Sequence, residues 1–310
     1  MALVGSAAAL QRPGGGARTS RRRQRGEALA GLLFTSPALV VFAVFMFVPL
    51  ALTAYYSVTD YTGFGRPRVV GLANFTELAS DPLFWRSLGN TAVFTVLVVP
   101  LSVFGGLGLA LLLNRAMPAR GLLRALFYVP VVISAVASGL IARWMFNENF
   151  GLVNRLLEGT GLPALSWQTG GAAAMASLVL VTTWTNLGFT MVVYLAGLQG
   201  VPAEVYEASA LDGASRWRTI RSITWPILAP TTFFLLVYMI ITSFQVFDLV
   251  IVMTGGGPAN ATTLLVNYAY SQGFEQRRQG YAAALGMVLY AIVLVLTLAQ
   301  WRTGRRRDLA

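Results

Sequence analysis

"EASALDGASRWRTIRSITWPILAP", residues 207–230, lies between two long apolar runs. It is polar and of mixed charge, with a glycine at 213 and prolines at 226 and 230. Its first half carries the local signals of a helix. Pro202 suits a first helical position, Glu204 and Glu207 complement the positive end of a helix dipole, and Ala208, Ala210 and Leu211 are helix formers. Gly213 then permits a turn. A second helical piece near 214–222 carries Arg216, Arg218 and Arg221. Pro226 and Pro230 fall in the first turns of the next apolar run, where proline is tolerated and shapes the entry angle. The stretch reads as a helix–turn–helix at a membrane surface. It is either a solvated connector held by arginine at the headgroups or a docking knob for a partner's groove.

Composition supplies the membrane. The chain has 310 residues, of which 56% are hydrophobic and 11% charged. Soluble domains carry about 25% charged residues, so this composition belongs to an integral membrane protein. All 23 basic residues are arginine; lysine, histidine and cysteine are absent. That removes disulfides, thiolate and imidazole metal ligands, the commonest general base, and a phosphate-binding loop of the type that needs lysine before Ser or Thr. The net charge of +11 reads as a topology signal in loops rather than as a nucleic-acid footprint.

A span needs about 20 apolar residues. Runs near 28–58, 88–114, 122–146, 172–199, 226–254 and 281–301 meet that requirement. The first exceeds the roughly 7–15 residues of a signal-peptide core and is read as an uncleaved span. Residues 1–27 read as a disordered basic tail, 303–310 as a second basic tail, and 200–225 as the longest loop. The expected fold is all-α and polytopic, with six transmembrane helices. Arginine placement sets its orientation. Sixteen arginines fall in the N-terminal tail, the 115–124 and 216–221 segments and the C-terminal tail; six fall in the alternate loops, at 66, 68, 86, 155, 277 and 278. The bias puts both termini in the cytoplasm. "FGGLGLA" (104–110) and "GGAAAMA" (170–176) are small-residue patches inside spans and read as close helix packing rather than as nucleotide loops. "TGGGPANATT" (254–263) is a turn signal outside the fifth span.

The 207–230 stretch resembles the "EAA" loop of permease subunits of bacterial ATP-binding-cassette importers. Glu207, Ala208, Ser209, Gly213, Ile223 and Pro226 occupy the pattern positions, with serine in place of the second alanine. The wording "EASALDGAS" is similar to the carbohydrate-uptake branch. Residues 243–274 and 280–300 resemble the permease of maltose or glycerol-3-phosphate importers that carries a Gly-Gly-Gly-Pro loop, and the resemblance covers about 28–302. It implies a cytoplasmic coupling helix seated in a separate ATPase subunit, with Glu207, Ala208, Ser209, Asp212 and Gly213 at the contact. It further implies a second, homologous permease, a dimer of ATP-binding subunits carrying the ATP and Mg, an extracytoplasmic solute-binding protein and a bacterial plasma-membrane location, with no catalysis and no cofactor on this chain. The solute is a sugar, oligosaccharide or polyol; a non-sugar solute such as glycerol-3-phosphate is the alternative.

Transporter sites lie near the bilayer midplane, and polar residues inside spans face the bundle or a cavity. "TTWTNLGF" (182–189) and "ITSFQVFD" (241–248) offer hydrogen-bonding groups beside aromatic faces, as sugars require. By the resemblance, the lining positions are Thr185, Asn186 and Phe189 on the fourth span and Met239, Thr242, Ser243 and Val246 on the fifth, with Gln245 and Asp248 as polar neighbours. Asp248 is expected to make a helix–helix hydrogen bond or to pair with Arg143, and Trp144 and Trp184 to pack rather than to stack on sugar. A membrane-embedded enzyme lacks its acid–base or metal constellation here, and a passive channel leaves the 207–230 pattern without a purpose.

Overall fold

The computed structural model describes residues 16–115 and 117–305. Among these, no strand forms; a single antiparallel bridge pairs Thr59 with Val69. Four helices are long and apolar enough to cross a membrane, or six if two bent pairs each count as one span.

The chain divides at Thr53 into two units. In the first, α1 (Gly16–Phe42) passes through a π-helical turn (Ala43–Phe47) into α2 (Val48–Ser57), whose last four residues fall in the second unit. Residues 16–27, expected as disordered tail, extend the helix of the first span. Adding turns to an existing helix is cheap and arginine is a good helix former. The rest of the N-terminal tail, residues 1–15, and residues 306–310 of the C-terminal tail lie outside the described residues.

The second unit is built around α4 (Pro82–Leu113) and α8 (Gly171–Gln199), the second and fourth spans. They cross closely because Gly106 lacks a side chain. A Cβ there would stand 2.1 Å from Thr190 Oγ1 and 3.0 Å from the Met191 nitrogen. The close approach lets Thr190 Oγ1 donate to the Ser102 carbonyl at 2.9 Å. The small-residue patch is thus a packing device, as expected. α12 (Ala229–Ser243) joins through Tyr194 O–H to Thr232 Oγ1 (3.0 Å) and through Thr95 and Ser243, whose hydroxyls lie 2.9 Å apart. Between these polar links, Val103, Leu107, Met191, Leu198, Leu228, Leu235 and Met239 form one apolar cluster. The sixth span, α15, runs Gln279–Arg305.

Two expected spans differ. Residues 122–146 are not one helix: α5 (Arg120–Val132) and α6 (Ala135–Met145) meet at 100°. Ile133 is extended, and Ser134 starts a new helix by accepting the Ala137 N–H at 3.2 Å. Gly139 then lets α6 lie against Val252 of α13 (Asp248–Met253). The fifth span is likewise not continuous over 226–254. Residues 216–227 form a separate helix, α10, with a π turn at 220–224, bent 68° from α12. α12 ends at Ser243, and α13 resumes at Asp248 after a non-helical step through Phe247. Thr242 and Ser243 turn their hydroxyls onto the carbonyls of Tyr238 and Ile240, the local bonding that competes with helix continuation.

Candidate functional site

The 200–225 segment folds as read. α9 covers Ala203–Leu211 and α10 begins at Arg216. Gly213 has φ +68°, a conformation that costs other residues more than glycine. Its N–H bonds the Ala210 carbonyl (3.1 Å) and the Ala214 N–H bonds the Ser209 carbonyl (3.1 Å), the paired pattern that closes a helix C-terminus. Ser209, the departure from the alanine of the family pattern, is buried, and its Oγ lies 2.8 Å from Thr219 Oγ1. Tyr206 reaches Thr224 in the same way at 3.4 Å. Two hydroxyl pairs therefore lock α9 onto α10. Glu207, Ala208, Asp212 and Gly213 stay exposed, and Leu211 is 90% exposed at the tip. The result is a small rigid projection with an apolar point and an acidic flank.

The second feature is a cavity of about 380 Å³ where the interrupted helices meet. Of the expected lining residues, Thr185, Asn186, Met239, Thr242, Ser243, Gln245, Val246 and Asp248 all stand on its wall. Phe189 does not. Its ring packs on Tyr238, centroids 4.8 Å apart, because it lies one helical turn beyond the cavity on α8. Ser243 is engaged with Thr95 and Ile240, and Thr185 Oγ1 donates to the Thr182 carbonyl at 2.9 Å. The side chains of Asn186, Gln245 and Asp248 bond no other described residue and are the groups left for a solute. Asp248 is not an intramembrane partner of Arg143: no ion pair joins them. It opens α13 on the cavity wall, and the helix break removes the neighbours a continuous span provides.

The sequence missed the third-span wall, Pro130, Val131, Ile133 and Ala135. Pro130 followed by Ser134, a good N-cap, was the available signal. Thr182, which opens the polar cluster at 182–189 but is not among the named lining positions, is buried on the wall with its hydroxyl unbonded. Trp184 faces a separate apolar groove beside Phe146 and Leu180, and Trp144 is exposed.

At the opposite end of the unit from the projection, Asp81 caps α4 by accepting the Leu83 N–H at 2.8 Å. It also accepts from Tyr268 and, at 2.6 Å, from Tyr281 of α15. Burial works against its charge, but these donors outweigh it and hold the carboxyl below its usual range. Burial and the neighbouring carboxylate push Tyr268 up to about 12. Beside them Arg278 clasps Glu77 at 2.6 Å and lies over the Tyr281 ring. The 254–263 turn is built rather than slack. Thr262 and Thr263 donate to the carbonyls of Gly257 and Gly256, and Asn90 of α4 donates to those of Asn260 and Thr263.

Interrupted helices around a polar cavity, with a rigid surface helix–turn–helix on the same chain, define a solute-translocating membrane subunit. The family model for the inner membrane component of binding-protein-dependent transport systems matches residues 14–308, and the chain belongs to that family. The sulfoquinovosyl glycerol transport system permease protein SmoG of Agrobacterium fabrum is 32% identical over 94% of this chain and 95% of its own length. The trehalose/maltose transport system permease protein MalF of Thermococcus litoralis is 34% identical over 94% and 98%. The sn-glycerol-3-phosphate permease protein UgpA of Agrobacterium fabrum is 34% identical over 89% and 94%. A chain of a bacterial transporter that imports the acidic polysaccharide alginate shares the fold with a TM-score of 0.78 at 26% identity, covering 93% of this chain and 99% of that one.

Proposed function

We propose that this chain is the permease subunit of an ATP-binding-cassette importer for a sugar, oligosaccharide or related polyol, and that it lines half of the translocation path. The observation that carries the reading is the cavity: an amide from each of two spans, Asn186 and Gln245, a threonine-rich wall and broken helices on two sides. Neutral polyols are met by such groups. A phosphorylated solute, the substrate class of one relative, finds no arginine among the lining residues of this chain. Asp248 faces it instead, which favours the neutral class.

The 203–213 projection is the contact with a separate ATPase dimer, which carries the ATP and Mg. Closure of that dimer pushes α9, and the hydroxyl locks onto α10 pass the displacement to α12 and so to the cavity. A homologous permease supplies the other half of the path, and an extracytoplasmic binding protein delivers the solute. The arginine bias supports a bacterial plasma-membrane location with cytoplasmic termini. The test is to purify the chain with its membrane partners and to identify the ligand carried by the binding protein encoded for the same system. An associated ATPase stimulated by that protein loaded with a neutral sugar is the expected result. Purification without an ATPase, or stimulation only by an anionic or amino-acid ligand, would overturn the reading.

A further inference from the structure

The helix from Arg216 to Ile227 carries three arginines in its first six residues, and all three are exposed. Arg68 pairs with Asp60 and Arg278 with Glu77, whereas the guanidiniums of Arg216, Arg218 and Arg221 meet no carboxylate or carbonyl among the described residues. Thr219 and Thr224 take the inner face against α9. The arginines therefore share the outer faces with Trp217, 71% exposed, and Trp225, 36% exposed. Trp225 stacks on Phe104 of α4 at 6.0 Å and 16°, and Phe104 is itself an exposed residue of the second span. This stack fixes the end of the helix at the apolar surface of a span. The 68° bend at Leu228 turns the rest away from the span axis, toward the membrane plane. Arginine beside tryptophan on a helix lying in that plane is the pattern of an interfacial helix, with guanidiniums at phosphate depth and indoles in the headgroup belt.

We propose that residues 216–227 bind the phosphate of an anionic phospholipid, in the leaflet at that end of the second span. Guanidiniums grip phosphate through paired N–H donors, and the Trp225–Phe104 stack gives an acyl chain a flat apolar wall. The site lies outside the cavity and does not depend on which solute is carried. Because α10 joins the projection to α12, a lipid held there steadies the lever between them.

The test uses the assembled importer in bilayers of phosphatidylcholine mixed with phosphatidylglycerol of matched chains. In a chain whose other tryptophans are phenylalanine, brominated phosphatidylglycerol should quench Trp217 and Trp225 more than brominated phosphatidylcholine does. Preferential retention of phosphatidylglycerol, counted by native mass spectrometry, should fall about fivefold for each arginine replaced by glutamine, the effect of one cation at an anionic surface. The Arg216→Lys, Arg218→Lys, Arg221→Lys variant keeps the charge but not the paired donors and should retain a reduced preference above that of the triple glutamine variant, which separates lipid binding from misfolding. Equal quenching by the two lipids, or unchanged retention in the triple glutamine variant, would overturn the proposal. So would loss of the ATPase subunit with lipid preference intact, which would assign the arginines to a protein contact. Abolition of the preference by millimolar inorganic phosphate would mark a free-anion site and would equally overturn it.

Discussion

Gly213 offers a graded perturbation whose size follows from its surroundings. Its φ is +68°, yet a Cβ placed there meets nothing within 4 Å. A substitution therefore strains the backbone without a clash inside the chain. Alanine in a left-handed conformation costs about 1–2 kcal/mol, asparagine less because it tolerates that region, and a β-branched valine more. Against this strain stand two backbone hydrogen bonds and the Ser209–Thr219 pair. At about 0.5–1.5 kcal/mol each, they total roughly 3 kcal/mol. Alanine thus consumes about half of what holds the turn, and valine most of it. Uptake by the reconstituted importer should stay near wild type for Gly213→Asn, fall severalfold for Gly213→Ala and tenfold or more for Gly213→Val, at equal membrane abundance. ATPase stimulation should follow the same order. If all three substitutions are equally damaging, the space outside Gly213 is filled by a partner and contact, not conformation, sets the requirement. If none is damaging, the turn plays no part in coupling.

Asn186→Ala and Gln245→Ala should each reduce uptake severalfold to tens of fold, as loss of about 0.5–1.5 kcal/mol or somewhat more per hydrogen bond implies, with stimulated ATPase activity less affected. Phe189→Ala, off the cavity wall, should instead lower thermal stability; a selective uptake defect at normal stability would return it to the path. Gly106→Val should part α4 from α8, lose the Thr190–Ser102 bond and destabilise the protein by about 2–4 kcal/mol, read by thermal unfolding in detergent. For Asp81, the depressed folded value means its contribution is present above the ordinary carboxyl value of 3.8 and is lost as pH falls through the lower folded value. Asp81→Asn should therefore be less stable than wild type throughout pH 5–8, and the gap should begin to close only below 3.8 and vanish below the lowered folded value; a gap independent of pH would show that charge is not what the tyrosines recognise. Ser215→Cys should label with an impermeant reagent only from the cytoplasmic side and Ala259→Cys only from outside; the reverse pattern inverts the topology.

The parts of the fold that follow local rules were legible. The runs near 88–114, 172–199 and 281–301 are long and apolar, and the helices Pro82–Leu113, Gly171–Gln199 and Gln279–Arg305 cover them, with Pro100 absorbed inside the first. The projection was legible because Gly213 and the residues before it carry their signals in sequence order. The breaks at 133–134 and 244–247 were not. Hydropathy averages over them, and what stabilises each bend is a distant contact, such as Gly139 on Val252. The cavity positions on α8 and α12 are legible as polar clusters in apolar runs, whereas Phe189, which the resemblance places with them, sits one turn further along α8 against Tyr238. Nothing in the pattern around Asp81 pointed to Tyr268 and Tyr281, almost two hundred residues distant, because a single carboxylate before a proline reads only as a cap.

The two interrupted helices also set a condition on the bilayer's insulation. Where α5 stops, its last carbonyls have no partner one turn on; at the end of α12 the Ile240 and Thr242 carbonyls are taken by the N–H groups of Phe244 and Gln245 while others lose their helical partner, and where α6 and α13 start, several N–H groups are equally unpaired. In hydrocarbon each such group costs several kcal/mol, so the 380 Å³ space they border must stay hydrated when no solute occupies it. Water then stands deep in the protein in every resting cycle. The barrier to ions and protons cannot be the cavity itself. It falls to the dry layers on either side: Phe94, Phe146, Trp167 and Leu178 toward one face, and Leu107, Leu113, Leu198 and Leu228 toward the other.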